Sequence, residues 1–236
     1  MNSIIKNEFI TNKKSSLLLA NILILASTAL AYFATTKVAG SSVLGESQIM
    51  LMFLKSTLTI IPPFIIIIIS KVITEEFNNG GMKIYLINPI SRTEVLMGKL
   101  VFICINVLIT MIIQIIISII AASILTQVPE LELISDVIYK YAVTFIPIIG
   151  LVSILFIPGL LIPSSRHTIS FGIFIIIGFD IICSYFSKLN PYSITYILKN
   201  IADMNTNTIN NIIISLVYFI VGMVISSYIF KNKEIR

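Results

Sequence analysis

Residues 60–70 read IIPPFIIIIIS, and this stretch decides the architecture. A strand with one face in lipid or core alternates apolar and polar side chains, whereas Ile65 to Ile69 run on with no polar residue between them. The run is therefore helical and all-round apolar, which is the pattern of a membrane span. Upstream, the same apolar character extends to Ile49 and is interrupted by Lys55. Residues 56–70 alone would rise only about 22 Å at 1.5 Å per residue, short of a hydrocarbon core about 30 Å thick. The span must therefore include Lys55, whose long stem lets its ammonium snorkel toward the headgroups.

The rest of the chain has the same bias. Of 236 residues, 57% are hydrophobic and 11% charged, and the mean hydropathy is +1.02. A soluble surface needs roughly a quarter of its residues charged, so most of this exterior faces lipid. Disordered chains lack the Ile, Leu and Phe that crowd this one. Cys104 and Cys183 lie in apolar runs without Cys or His neighbours at ligand spacing, so neither a disulfide framework nor a metal site is indicated. Lys13-Lys14, an apolar stretch and Ala29-Leu30-Ala31 imitate a signal peptide, but the apolar run continues to Ala34 and the segment is expected to be retained as a span.

Six runs are long enough to cross a bilayer: Leu17–Thr35, Ile49–Ser70, Leu100–Leu125, Tyr141–Ile162, Ile169–Phe186 and Ile209–Phe230. An even number puts both termini on one side. That side carries 11 of the 16 Lys and Arg residues, including Lys13, Lys14, Lys71, Arg92, Lys99 and Arg166, and the other carries five. The positive-inside rule makes the richer side cytoplasmic. Acidic residues divide five and five, with Asp180 alone in a span, so the inner face is near +6 and suits an anionic inner leaflet.

Three segments are more than connectors. Residues 2–14 place Ile5 and Phe9 one helical turn apart and direct Lys6 and Lys13 elsewhere, the pattern of an interfacial helix; a frayed polar leader is the other reading. The long cytoplasmic loop, residues 71–99, reads KVITEEFNNGGMKIYLINPISRTEVLMGK. Its helix should continue through Glu75 and Glu76 and close at Gly80-Gly81; Pro89 breaks any further helix, and Ser91 with Glu94 forms a capping-box pattern that starts a new one. So much local structure suits docking, although a solvated connector would share it. The outer loop 187–208 contains NPYSITYILKN, too apolar for a free loop, and is expected to dip back toward the membrane as a short helix.

Within the spans, Pro62-Pro63, Pro147 and Pro158 should bend or interrupt helices, with Thr57 and Thr59 placed to satisfy carbonyls freed near Pro63. Asp180 would cost on the order of 2.5–3.5 kcal/mol facing lipid at mid-bilayer, so it faces protein or water, either as a pathway or gating acid or as a carboxylate bonded to Ser184 or a neighbouring hydroxyl. Asn106 and Gln114 read as interhelical hydrogen-bonding groups.

Several chemistries lack their residues. No phosphate loop is present: Gly98-Lys99 is followed by Leu100 and has no glycine five positions earlier, so the chain does not hydrolyse ATP alone. Metalloprotease and acyl-transfer motifs are missing too, and a single intramembrane acid is few for an ion-coupled antiporter. No catalytic residue, bound metal, cofactor or nucleic-acid partner is expected.

Glu75 or Glu76, Gly80-Gly81, the apolar patch Ile84–Ile87, Pro89, Ser91-Arg92 and Lys99 resemble the loop motif of ABC-2 type permeases, the membrane subunits of one class of ABC exporter. Met82 stands where that family usually has Thr or Ser. The layout is also similar: interfacial N-terminal helix, six spans, cytoplasmic termini and a re-entrant outer segment. The resemblance implies an all-α half-transporter in a bacterial plasma membrane, paired with a second permease chain, identical or related. It implies two separate ATP-binding subunits that carry the ATP and Mg, docked through Glu75, Glu76, Phe77, Gly80, Gly81, Met82, Pro89, Ser91 and Arg92 as a coupling helix. Amphipathic or hydrophobic peptides, such as toxins or bacteriocins, or drugs would be the cargo. Two other readings remain open: a non-transporting immunity or scaffold protein, and an ion-coupled carrier using Asp180.

Overall fold

A computed structural model of the chain describes residues 7–8, 15–39, 44–81, 91–203 and 208–233. The described residues are helices and short connections, with no strand among them. Among the described residues, seven α-helices are longer than one turn: α1 Ser15–Ala39, α2 Glu46–Ile69, α3 Arg92–Leu125, α4 Leu131–Leu161, α5 Ser165–Tyr185, α6 Ile194–Ala202 and α7 Thr208–Asn232. Five are long and apolar enough to cross a membrane: α2 with its continuation to Asn78, α3, α4, α5 and α7. A shorter apolar stretch, Leu19–Thr35, lies within α1. The chain is an all-α membrane protein.

Sequence explains most helix ends. Ser91 caps α3: its Oγ accepts from the Glu94 amide at 3.3 Å, and a Glu94 carboxylate oxygen accepts from the Ser91 amide at 3.2 Å. Gly80, at φ 72°, takes the left-handed conformation that closes a helix at little steric cost to glycine. Between them, Met82 and Pro89 lie outside the described residues, as does most of the expected interfacial segment at the N-terminus.

The prolines do not interrupt their helices. Pro62 and Pro63 sit inside α2, and Pro147 and Pro158 inside α4. Thr57 and Thr59 do not serve the carbonyls that these rings free. Thr57 Oγ1 donates to Phe53 O at 2.7 Å and Thr59 Oγ1 to Lys55 O at 2.9 Å, each one turn back along its own helix. A threonine hydroxyl reaches the i−4 carbonyl from its own rotamer, and that local bond wins. Beyond Ile69 the helix continues as a π-turn, Ser70–Glu75, before a last short helix Glu76–Asn78.

α2 runs through the middle of the bundle. Leu54, Ile61, Ile65, Ile66 and Ile69 are fully buried, and α1, α3, α4 and α5 all pack against this helix. The all-round apolar run at residues 60–70 thus belongs to a helix largely enclosed by protein, 61% buried against 67% for α4. α4 and α7 approach closely through small residues. A β-carbon on Gly150 would stand 2.7 Å from Ser215 O, and one on Gly222 2.7 Å from the Ser153 carbonyl carbon. Ser153 Oγ donates across the seam to Tyr218 O at 3.1 Å, as interhelical hydroxyls do where backbones approach.

Polar groups in α3 divide between roles. Gln114 Nε2 donates to Asn21 Oδ1 of α1 at 2.8 Å, an interhelical bond, whereas Asn106 Nδ2 donates to Phe102 O within its own helix.

Candidate functional site

One end of the bundle gathers the end of α2, the starts of α3 and α5, the ends of α4 and α7, and residues 7–8. Lys99, in the early part of α3, is fully buried there. Its ammonium donates to Glu8 Oε1 at 2.5 Å, Glu76 Oε2 at 2.7 Å and Val72 O at 2.8 Å. Val72 belongs to the π-turn, so Lys99 ties that turn to α3. Lys99 therefore joins three chain segments through one cation. A buried lysine is tolerated only when paired, and two carboxylates and a carbonyl supply the partners.

Thr74, in the same π-turn, is buried and donates to Gly159 O of α4 at 3.0 Å, with Thr168 Oγ1 of α5 at 3.2 Å. Glu75 points outward and is exposed, while Glu76 is half-buried against Lys99. The adjacent glutamates thus have different roles: one holds the end of α2 to the bundle and the other faces away from it.

Phe77 packs edge-on against Phe230 of α7, with ring centroids 5.8 Å apart. The Lys233 ammonium sits 4.2 Å above the Phe77 ring and donates to Leu160 O of α4. Partial burial pushes the pKa of Lys233 below the usual lysine value. Arg92 completes the arrangement. Its Nη1 donates to the carbonyls of Phe230 and Lys231, each at 2.8 Å, and of Lys233 at 3.1 Å. The carbonyls of Phe230 and Lys231 are among the acceptors that α7 leaves without intrahelical donors at its C-terminus, where a cation also offsets the helix dipole. Gly81 follows Gly80 at the same end.

The structure thus brings Glu76, Phe77, Arg92 and Lys99 into one cluster with Glu8, Phe230 and Lys233. The last three escape sequence reasoning, because each meets its partner from a distant part of the chain. Glu8 is 91 positions from Lys99, and Phe230 and Lys233 come from the opposite half of the sequence to reach Phe77. The only signal for Phe230 and Lys233 is that aromatic and basic residues end the last apolar run.

Asp180 lies at the opposite end. Its Oδ1 accepts from Ser193 Oγ at 2.5 Å and from Thr195 Oγ1. Ser184 instead donates to Ile181 O in its own helix. Ser193 also caps α6, its Oγ accepting from the Tyr196 amide at 3.4 Å. Before it, a 3-10 helix, Ser187–Tyr192, brings the chain back, and Tyr218 Oη of α7 donates to Tyr192 O at 2.5 Å. Lys55 pairs with Asp203 at 3.0 Å, so it is held beside α6. Between α2, α5 and α6 lies a cavity of about 420 Å³.

The family model described as "ABC-2 family transporter protein" matches residues 4–180. The match includes Glu8, the whole segment from Lys71 to Lys99 and the π-turn, and it ends at Asp180, before α6 and α7. No curated protein matches the chain.

Proposed function

The chain belongs to the ABC-2 transporter family, and on that premise we propose that it is the membrane half of an ATP-driven exporter of amphipathic or hydrophobic peptides or drugs. Membership makes it a multi-pass permease of an ABC transporter, a transport component that works with an ABC ATP-binding subunit. The proposal adds the arrangement. Leu19–Thr35 is the sixth span, α6 and the 3-10 helix before it form a re-entrant outer segment, and both termini face the cytoplasm of a bacterium. Two permease chains, identical or related, bind two ATPase subunits, which carry ATP and Mg.

The observation that supports this reading is the cluster around Lys99. Residues 75–81, together with Arg92, stand at the end where four helices are tied together: α2 through Glu76, α3 through Lys99 and Arg92, α4 through Leu160 and α7 through Phe230. A push on this segment reaches all four helices through hydrogen bonds or ring contact. Exposed Glu75 is the contact offered to the ATPase, and Glu76 holds the segment in place.

Co-purification with a candidate ATPase, such as one encoded beside the permease, tests the pairing. The complex should form and its ATP hydrolysis should depend on the permease. Glu75→Ala combined with Glu76→Ala should abolish both while leaving membrane insertion intact, and unchanged coupling in that variant refutes the docking assignment. Protection against an exported peptide should vanish when the ATPase is catalytically dead; protection that persists would favour the sequestering immunity protein instead.

A further inference from the structure

The geometry points to a binding site for a zwitterionic amphiphile at the Asp180 end of the bundle, with an ammonium of the ligand on Asp180, an acidic group on Lys199 and the hydrocarbon chain in the apolar cavity beside α4 and α5. The site is built from two cavities with a common wall. The outer one, about 420 Å³, is bordered by Lys55, Asp180, Lys199 and Asp203 around an apolar lining that includes Leu58 and Ile177. The inner one, about 250 Å³, is bordered by Leu151, Leu155, Ile175, Phe179 and other apolar groups. Pro62, Ile176, Asp180 and Thr195 border both.

The charges select the ligand class. Of the two cations, Lys55 is engaged by Asp203, whereas exposed Lys199 has no ion-pair partner among the described residues. Of the two anions, Asp203 is engaged, and Asp180 has no ion pair among the described residues. Both hydroxyl donors, Ser193 and Thr195, converge on Asp180 Oδ1, which leaves its second oxygen to an incoming donor. Asp180 and Lys199 also line one shared opening. One unmatched charge of each sign beside an apolar chamber suits a head carrying both charges with a chain attached. A singly charged head would gain a charge-assisted contact with only one of the two and leave the other to solvent.

The inference rests on the exporter reading only where the occupant is called cargo; binding itself is tested without the ATPase. The full chain in phosphatidylglycerol nanodiscs is titrated with four probes that share a twelve-carbon chain: lauroyl lysophosphatidylethanolamine, dodecylammonium, dodecyl phosphate and dodecyl maltoside. The zwitterion should bind at least roughly tenfold more tightly than any of the others, the size of one charge-assisted contact. Lys199→Gln, a change at an exposed side chain, should reduce the zwitterion to the affinity of dodecylammonium, and Asp180→Asn to that of dodecyl phosphate. Equal affinity for all four heads, or unchanged selectivity in the folded Lys199→Gln protein, overturns the proposal. Mass spectrometry of protein extracted with its own membrane lipids separates the sources. A retained aminophospholipid that is lost in Asp180→Asn identifies a bilayer lipid, and probe binding without retained lipid identifies cargo. If ATPase pairing fails while this selectivity holds, the exporter reading falls and the site stands.

Discussion

Lys99 is the residue on which the cytoplasm-proximal cluster depends in the proposed orientation. Removing its charge leaves Glu8 and Glu76 facing one another and strips the Val72 carbonyl of a donor, all in a buried place. Breaking one partner out of a buried ion pair costs about 3–5 kcal/mol. Lys99→Met should therefore lower the thermal stability of the purified protein markedly, whereas Lys99→Met with Glu8→Gln and Glu76→Gln should recover much of it; detergent-solubilised melting curves read both. Arg92→Gln is expected to be milder at the level of folding, because it removes three bonds to carbonyls that lie near solvent. Its signature is local: faster hydrogen exchange over residues 228–233 with the rest unchanged. At this scale the sequence reveals that Asp180 is out of place in a span, because its cost is set by residue type, whereas Lys99 reads as a cytoplasmic loop residue and only the structure shows it buried. The sequence does not reveal their partners. Glu8 is 91 positions from Lys99, and the hydroxyls on Asp180 come from another helix rather than from nearby Ser184.

Helices were legible as elements because apolar runs and caps are local signals. The Ser91–Glu94 box and the Gly80 turn arise from side chains within a few residues of one another. The π-turn at Ser70–Glu75 was not legible. SKVITE contains no glycine or proline, and what holds it is a lysine from α3 and a carbonyl of α4. The same holds for the α4–α7 seam, since a glycine in a span reads as a weak helix former until its neighbour is known. Gly222→Val should force the two backbones apart against Ser153 and cost about 1–3 kcal/mol as an overpacked contact. Gly178→Ala is the control: only the tip of the Phe174 ring lies within 4.0 Å of the added carbon, so stability should be unchanged or slightly higher. Melting temperatures of the pair measure the difference.

For the whole molecule, the two ends differ in kind. One is a pinned cluster of buried ions and rings, and the other an open chamber with charges at its mouth. In α5 and α7 most of the apolar span is uncovered, 17% and 22% buried respectively, against 67% for α4. Lipid covers those faces, or a second permease chain where the proposed pairing forms. Sidedness can be checked with the native cysteines left in place, because both are buried and should resist a membrane-impermeant thiol reagent. Cysteine introduced at exposed Glu132 should react in intact cells, and at exposed Glu75 only after permeabilisation. The reverse pattern would invert the proposed orientation. Composition and the Lys and Arg asymmetry made the membrane class and the expected sidedness readable from sequence; the chamber was not, since it exists only where α6 folds back against α2 and α5.

The α4–α7 seam also has a consequence in time. α7 leaves the ribosome after the other six helices, yet it supplies the surface that fits Gly150 and Ser153, and its end receives Arg92 and reaches Leu160. Until residue 233 has been made, α4 presents its narrow, hydroxyl-bearing groove to lipid or to the insertion machinery, and Arg92 has none of these three carbonyls to hold. A chain that stops short of α7 should therefore lack both the seam and the clasp, and its α4 should show faster hydrogen exchange around Gly150 and Ser153 than in the full chain.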